Sequence, residues 1–189
     1  RGPDAGNKLP CDRGITVADT EVGLRNCREI AREVDVRLYP GKTDAAGSGA
    51  ENYGVIYSLA ESPVKAGLLW AGTDDGRLWV TQNEGANWTE LTEKLPQPER
   101  GQWIVRVEPG AKDARVAYVV TNAYRSGDDR PFILRTADLG QTWQSITGEG
   151  IPPNDPVEVV REDPVNSRLL YAGTHFGLFA SFDGGGHWL

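Results

Sequence analysis

Two adjacent carboxylates, Asp74 and Asp75, are the pair in this sequence best suited to acid–base work. Glycoside hydrolysis needs two carboxyls flanking the scissile bond, about 5 to 5.5 Å apart for retention and about 6.5 to 9.5 Å for inversion. Asp74 and Asp75 run into Gly76, however, and acidic residues beside glycine also serve simply as turn formers, so they are weak catalytic candidates. His175 and His187 have no metal-ligand partner at a diagnostic spacing, and solvated imidazoles are expected at both. Asp128 and Asp129 lie in a polar stretch without the ligand spacing of a calcium loop. No metal and no cofactor is therefore expected. Trp70, Trp79 and Trp103 carry flat faces on which sugar rings could stack, although aromatics in alternating segments more often fill a core. Asn87-Trp-Thr89 matches a glycosylation sequon but falls inside a repeated turn.

That turn is the repeated feature of the sequence. Three octapeptides align as Ser/Thr-x-Asp/Asn-x-Gly-x-x-Trp: Thr81-Gln-Asn-Glu-Gly-Ala-Asn-Trp88, Thr136-Ala-Asp-Leu-Gly-Gln-Thr-Trp143 and Ser181-Phe-Asp-Gly-Gly-Gly-His-Trp188. They begin at 81, 136 and 181, so 55 and then 45 residues separate them, near the about 40 to 50 residues of a four-stranded propeller blade. Asn83, Asp138 and Asp183 can accept backbone N–H groups that follow them, Gly85, Gly140 and Gly185 supply a conformation other residues resist, and the tryptophan covers the hairpin. Asn83 stands where the other two copies have aspartate, a change that a turn tolerates and a catalytic acid does not. We therefore read Thr81, Asn83, Gly85, Trp88, Thr136, Asp138, Gly140, Trp143, Ser181, Asp183, Gly185 and Trp188 as structural.

The elements that must carry these turns repeat as well. Before each octapeptide comes an alternating run ending at proline, then a second apolar run: 55–63 before 68–73, 104–109 before 116–121, and 157–164 before 169–174. These runs are rich in β-branched and aromatic residues and are bounded by Gly, Pro, Asn and Asp, the signature of strands and their turns. A third strand leads into each octapeptide and a fourth leaves it, giving blades at about 53–95, 102–148 and 156–189. In the middle blade, residues 122–131 lengthen the link between second and third strands into a surface loop. The fold class expected is all-β: an incomplete propeller of about three four-stranded blades over residues 51–189. Residues 1–50 do not fit the repeat. Within them 17–34 have helix-like spacing with Asp19 as N-cap, 34–39 alternate like a strand, and 41–50 read as a linker.

Composition narrows the function classes. The chain has 189 residues, 39% hydrophobic and 25% charged, ordinary for a folded soluble protein. Twenty Lys and Arg face 27 Asp and Glu for a net charge of −7, with no basic cluster to bind nucleic acid or an anionic membrane surface. No apolar stretch is long enough to span a bilayer, and the start, Arg1-Gly-Pro-Asp4, has no signal-peptide pattern. There is no methionine, so a processed form or a piece of a longer chain is expected. Cys11 and Cys27 either pair in an oxidising compartment or stay as thiols.

The octapeptides resemble the bacterial neuraminidase repeat, or Asp-box, of sialidases, xyloglucan-degrading enzymes, sortilins and a photosystem-assembly factor. The phrases at 53–63, 70–76, 159–164 and 170–174 are similar to bacterial sortilin-like or BNR-repeat glycosyl-hydrolase proteins. The resemblance covers about residues 47–189 and implies a large exported protein, hence an extracytoplasmic location, with Asp-box turns on the outer rim away from the central channel. The arginine cluster and Tyr/Glu pair of sialidases are not visible. The leading expectation is a binding or scaffold propeller for a peptide or glycan. The alternative is part of a secreted glycoside hydrolase acting on a polysaccharide, and a third is an assembly factor for a membrane complex. Three blades cannot close, so further blades or self-association are expected to complete the ring.

Overall fold

The computed structural model describes residues 54–189. The expected N-terminal helix and strand, and Cys11 and Cys27, lie outside the described residues. The remainder is all-β. Its first sheet runs β1 (Ile56–Glu61), β2 (Leu69–Thr73), β3 (Leu78–Thr81) and β4 (Thr89–Glu90). The second runs β5 (Trp103–Pro109), β6 (Ala117–Asn122), β7 (Ile133–Thr136) and β8 (Gln144–Ser145). The third has β9 (Val157–Glu162), β10 (Leu170–Thr174) and β11 (Leu178–Ser181). Every neighbouring pair is antiparallel and in sequence order. Beside β11, Ala180 and Leu189 exchange both backbone hydrogen bonds at 2.9 Å, the first rung of a fourth strand.

Two-residue periodicity explains how these meanders pack. Trp70, Leu78 and Val80 on one face of the first sheet meet Ile104, Val107, Val119 and Leu134 of the second. The opposite face of the second sheet places Tyr118, Val120 and Ile133 against Val160, Leu170 and Ala172 of the third. The second sheet is thus apolar on both faces, and β2 and β6 are buried along their whole length. Successive sheets touch through their first strands, β1 with β5 and β5 with β9, while the short fourth strands lie outermost. Three sheets therefore fan around an axis on the first-strand side, which is the geometry of propeller blades. Close approach requires a small residue at Gly72, where a Cβ would lie 2.4 Å from Cγ2 of Ile104.

The octapeptide turns close each meander by the same hydrogen bonds. The hydroxyl of Thr81, Thr136 or Ser181 donates to Oδ1 two residues on, at 2.9, 2.8 and 2.8 Å. It also accepts the N–H of Gly85, Gly140 or Gly185, at 3.1, 2.9 and 2.8 Å. The same Oδ1 accepts the N–H of Asn87, Thr142 or His187, at 2.9, 2.9 and 3.0 Å. One buried hydroxyl and one side-chain oxygen thus satisfy a turn that has no room for ladder bonds. The residue between them, Glu84, Leu139 or Gly184, has a left-handed backbone and donates its N–H to the turn joining first and second strands, at Gly67, Arg115 or Arg168. The two turns at this end of each blade are therefore tied together. Each tryptophan is placed differently: Trp188 is buried and donates to the Ile146 carbonyl, Trp143 is half-buried and donates to that of Gly140, and Trp88 is half-buried on the first sheet.

Two predictions follow from this turn chemistry. Gly140 has φ +84°, and a Cβ there would lie 2.4 Å from Cδ1 of the buried Leu91. Gly140→Ala is expected to lower unfolding free energy by roughly 2 kcal/mol or more, from backbone strain and overpacking together. Gly127→Ala has a similar φ of +80° and open space around it, and should cost only about 1 kcal/mol. Urea denaturation of both variants checks the difference. Asp138 is held down to about 2 by the Thr142 hydroxyl, the Thr142 N–H and the Thr136 hydroxyl. A carboxylate depressed in the folded state contributes stability that is complete above its ordinary value, near 3.8, and lost as pH falls toward 2. Asp138→Asn, which copies the natural Asn83, should flatten this acid limb in melting curves between pH 5 and pH 2, whereas an unchanged limb would remove Asp138 as a contributor.

Candidate functional site

The meander sends its loops to two ends. The turns between first and second strands and the octapeptide turns share one end. The other end gathers the starts of β1, β5 and β9, the links between blades, and the loops between second and third strands. In the first blade that loop is the tight Asp74-Asp-Gly76 turn, in the second it is 123–132, and in the third it is His175-Phe-Gly177. The middle loop contains a single 3-10 turn at Tyr124–Ser126, closed by Gly127 in the left-handed region and a bridge between Ala123 and Asp128.

Each first strand carries an irregularity just where it enters this end. The ladder skips Tyr57 between Ile56 and Ser58, Val105 between Ile104 and Arg106, and Glu158 between Val157 and Val159. A bulge breaks alternation and re-aims the extra side chain. Val105 turns into the core, but Tyr57 is 55% exposed and the Glu158 side chain 40% exposed. The bulge recurs in all three blades, and what it presents differs.

A row of rings crosses this end. Tyr57 meets Trp103 edge-on with centroids 4.5 Å apart, Trp103 lies 6.5 Å from Tyr124 at a 32° tilt, Tyr124 meets His175 at 5.4 Å, and His175 meets Phe176 at 6.1 Å. The row thus draws one or more rings from every blade. Trp103 is its half-buried centre, with the Arg125 guanidinium 4.1 Å from its ring centroid. Tyr124 is 39% and Phe176 80% exposed. Polar groups edge the rings: Glu158 Oε1 accepts from Asn122 Nδ2 at 2.9 Å and meets His175 Nε2 at 2.7 Å. Asn122 Oδ1 in turn accepts the Tyr124 N–H at 2.9 Å, starting the 3-10 turn that presents the tyrosine. This mixture of exposed rings and fixed hydrogen-bonding groups can hold a ligand that has both flat apolar faces and hydroxyls.

The residues singled out from sequence fall in several places. Asp74 and Asp75 are at the right end but are engaged in holding the backbone: Asp74 Oδ1 accepts the N–H groups of Gly54 and Val55 ahead of β1 at 2.7 Å, and Asp75 accepts the Thr73 hydroxyl and faces Arg77 within the turn. Trp70 is wholly buried with its ring against Trp143, and Trp79 packs half-buried on the outer side of the first sheet. Of the three tryptophans only Trp103 joins the row. Both histidines are exposed, as solvated imidazoles would be, but each also has a carboxylate partner. His175 is set between Glu158 and two rings, and His187 Nδ1 lies 2.6 Å from Asp183 Oδ2, which raises the imidazole and depresses the carboxylate. Asp128 pairs with Arg130 at 2.7 Å, which lowers the carboxylate. Among the described residues no cluster of three His, Cys, Asp or Glu could hold a metal, and no helix is long and apolar enough to cross a membrane. Tyr57, Tyr124, Glu158 and Phe176 were not legible as site residues. The signal that existed was the lengthened middle loop.

No family model matches the chain. It is similar to xyloglucanases from Hypocrea jecorina (strain QM6a), 28% identical over 152 residues, and Paenibacillus sp, 28% identical over 163 residues. A third, Xgh74A of Acetivibrio thermocellus, is 26% identical over 152 residues. The alignments cover 74, 79 and 75% of this chain but 17, 15 and 18% of those proteins, so the chain spans about a sixth of the length of the curated relatives it matches. Among solved structures, an ancestral GH74 enzyme superposes with TM-score 0.56 at 19% identity, over 72% of this chain and 18% of that one. YCF48 bound to D1 peptide superposes with TM-score 0.54 at 17% identity, over 73% and 41%. At these identities the superpositions bear on the propeller fold.

Proposed function

We propose that this chain is a stretch of a glycoside-hydrolase-type propeller directed at a polysaccharide of the xyloglucan kind, and that its three blades supply substrate-holding wall rather than the acid–base pair. The observation that carries the reading is the alignment with three xyloglucanases across about three quarters of the chain. The ring row at the loop end supports it, because alternating apolar faces and hydrogen-bonding edges match a sugar polymer. The bonds of Asp74 and Asp75 support the division of labour: a carboxylate holding two backbone N–H groups or facing an arginine is poorly placed to exchange protons with a glycosidic oxygen.

A polymeric substrate too large to cross a membrane places such a protein outside the cytoplasm, periplasmic or secreted. The octapeptide residues are rim turns of the Asp-box kind in this reading, with no part in the chemistry. The second reading is a peptide- or glycan-binding scaffold of sortilin-like type, favoured by the same engagement of Asp74 and Asp75. Blades beyond these three, or a second copy, would complete the ring in either case.

The 189-residue protein passed over immobilised xyloglucan is expected to be retarded and to be released by soluble xyloglucan, without generating reducing ends. Asp74→Asn should leave that retention within about twofold while lowering the melting temperature, since an amide oxygen replaces the carboxylate that accepts Gly54 and Val55. Absence of retention would overturn the carbohydrate reading. Turnover abolished by Asp74→Asn would overturn the division of labour.

A further inference from the structure

We infer that Tyr57, Tyr124 and Phe176 form a stacking platform for successive backbone rings of a neutral glycan, with Trp103 as the positioning residue that holds two of them, Glu158 and His175 as its hydrogen-bonding edge, and the buried Asn122 behind them holding Glu158 and the Tyr124 turn. The inference deepens the carbohydrate reading above and rests on it. Three observations carry it. The exposed apolar side chains of this row are rings, reaching 80% exposure at Phe176. A carbohydrate offers C–H faces that such rings cover, whereas a protein partner is bound mainly by a dry, desolvated centre with mixed apolar anchors.

The rings are also held rather than loose. Tyr57 leaves its strand at a bulge and rests edge-on against Trp103, 4.5 Å away. Tyr124 is fixed by the Asn122 side chain accepting its N–H and by the left-handed Gly127 that closes its turn. Trp103 has Arg125 stacked on it, so its ring supports the neighbouring tyrosines instead of facing the ligand. Preorganised rings lose little freedom on binding, which favours a ligand that is itself stiff.

Charge argues for a neutral ligand. The edge presents the Glu158 carboxylate, whose Oε1 meets both Asn122 and His175, and the chain carries a net −7. A polyuronate would meet that carboxylate with like charge. Hydroxyls of a neutral sugar, by contrast, can donate to Glu158 and exchange a hydrogen bond with the second ring nitrogen of His175.

The test is a calorimetric titration of the 189-residue protein with a xyloglucan oligosaccharide, a polyuronate of similar length and a proline-rich peptide. The xyloglucan oligosaccharide is expected to bind and the other two not. Tyr57→Ser and Phe176→Ser should each weaken binding by about two- to tenfold, the scale of a single aromatic contact, with melting temperatures unchanged because both rings are exposed. Trp103→Ala should lose binding, and Trp103→Phe, which keeps a ring against Tyr57, should recover most of it and guards against a fold defect in the alanine variant. Binding of the oligosaccharide with undiminished affinity in Tyr57→Ser and Phe176→Ser would overturn the platform and leave the carbohydrate reading standing. No binding of the oligosaccharide to the unaltered protein would overturn both, and tighter binding of the polyuronate or the peptide would overturn the assignment to a neutral glycan.

Discussion

A single buried hydroxyl per blade, on Thr81, Thr136 or Ser181, holds the octapeptide turn together, and the rest of the structure depends on that turn. The oxygen donates one hydrogen bond and accepts another, so two segments that cannot reach ladder partners are satisfied at once. With the turn closed, its fourth residue can give its N–H to the neighbouring strand turn, and one end of the blade becomes a single bonded unit. This explains why the aspartate position tolerates asparagine: the function of Oδ1 is acceptance, which carboxylate and carboxamide share.

Packing between blades is less uniform than the turns. The first and second sheets meet through Trp70, Leu78, Ile104, Val107 and Leu134, with Gly72 allowing the approach and the Ser58 hydroxyl accepting the Val107 N–H. Removing a large ring from such a site costs about 3 to 5 kcal/mol. The second and third sheets add polar contacts to their apolar centre. Tyr118 donates to Glu162 at 2.8 Å, and Arg161 reaches Glu108 at 2.6 Å. Burial and the neighbouring Glu162 carboxylate hold the Tyr118 phenol well above its usual range, so it stays a donor. Similar blades thus meet through different chemistry, and each interface specifies its own neighbours.

Securing each blade at the octapeptide end leaves the opposite end free to vary. The loop between second and third strands is a four-residue turn in the first blade, 74–77, a three-residue turn in the third, 175–177, and a ten-residue excursion in the middle one, 123–132. The bulge at the head of each first strand adds to this freedom, since it releases Tyr57 and Glu158 from the alternation that would bury or hide them. Rings from separate blades consequently converge on one face. Such a division, a rigid end that fixes geometry and a variable end that meets ligands, is how loops borrow precision from a scaffold.

Periodicity and turn chemistry are local properties, and they were legible in the residues. Strands with alternating faces, proline-ended turns and an octapeptide with Asp, Gly and Trp at fixed offsets can be read in order because each depends on neighbours a few positions away. The all-β propeller class, the three repeats and the surface position of the middle loop follow from them. The site does not. Tyr57 and Phe176 are 119 positions apart in the chain, and nothing near Tyr57 announces that a bulge will turn it outward, since Val105 sits at the same bulge and points inward. Nor does sequence distinguish Trp70, buried against Trp143, from Trp103, which anchors the ring row, because both lie in similar apolar strands. His175 looks unpartnered until β9 and the middle loop bring Glu158 and Tyr124 beside it. Local sequence determined the blades and their turns, while the stacking of one blade on the next decided which side chains share a face, because that proximity is set by packing across tens of residues.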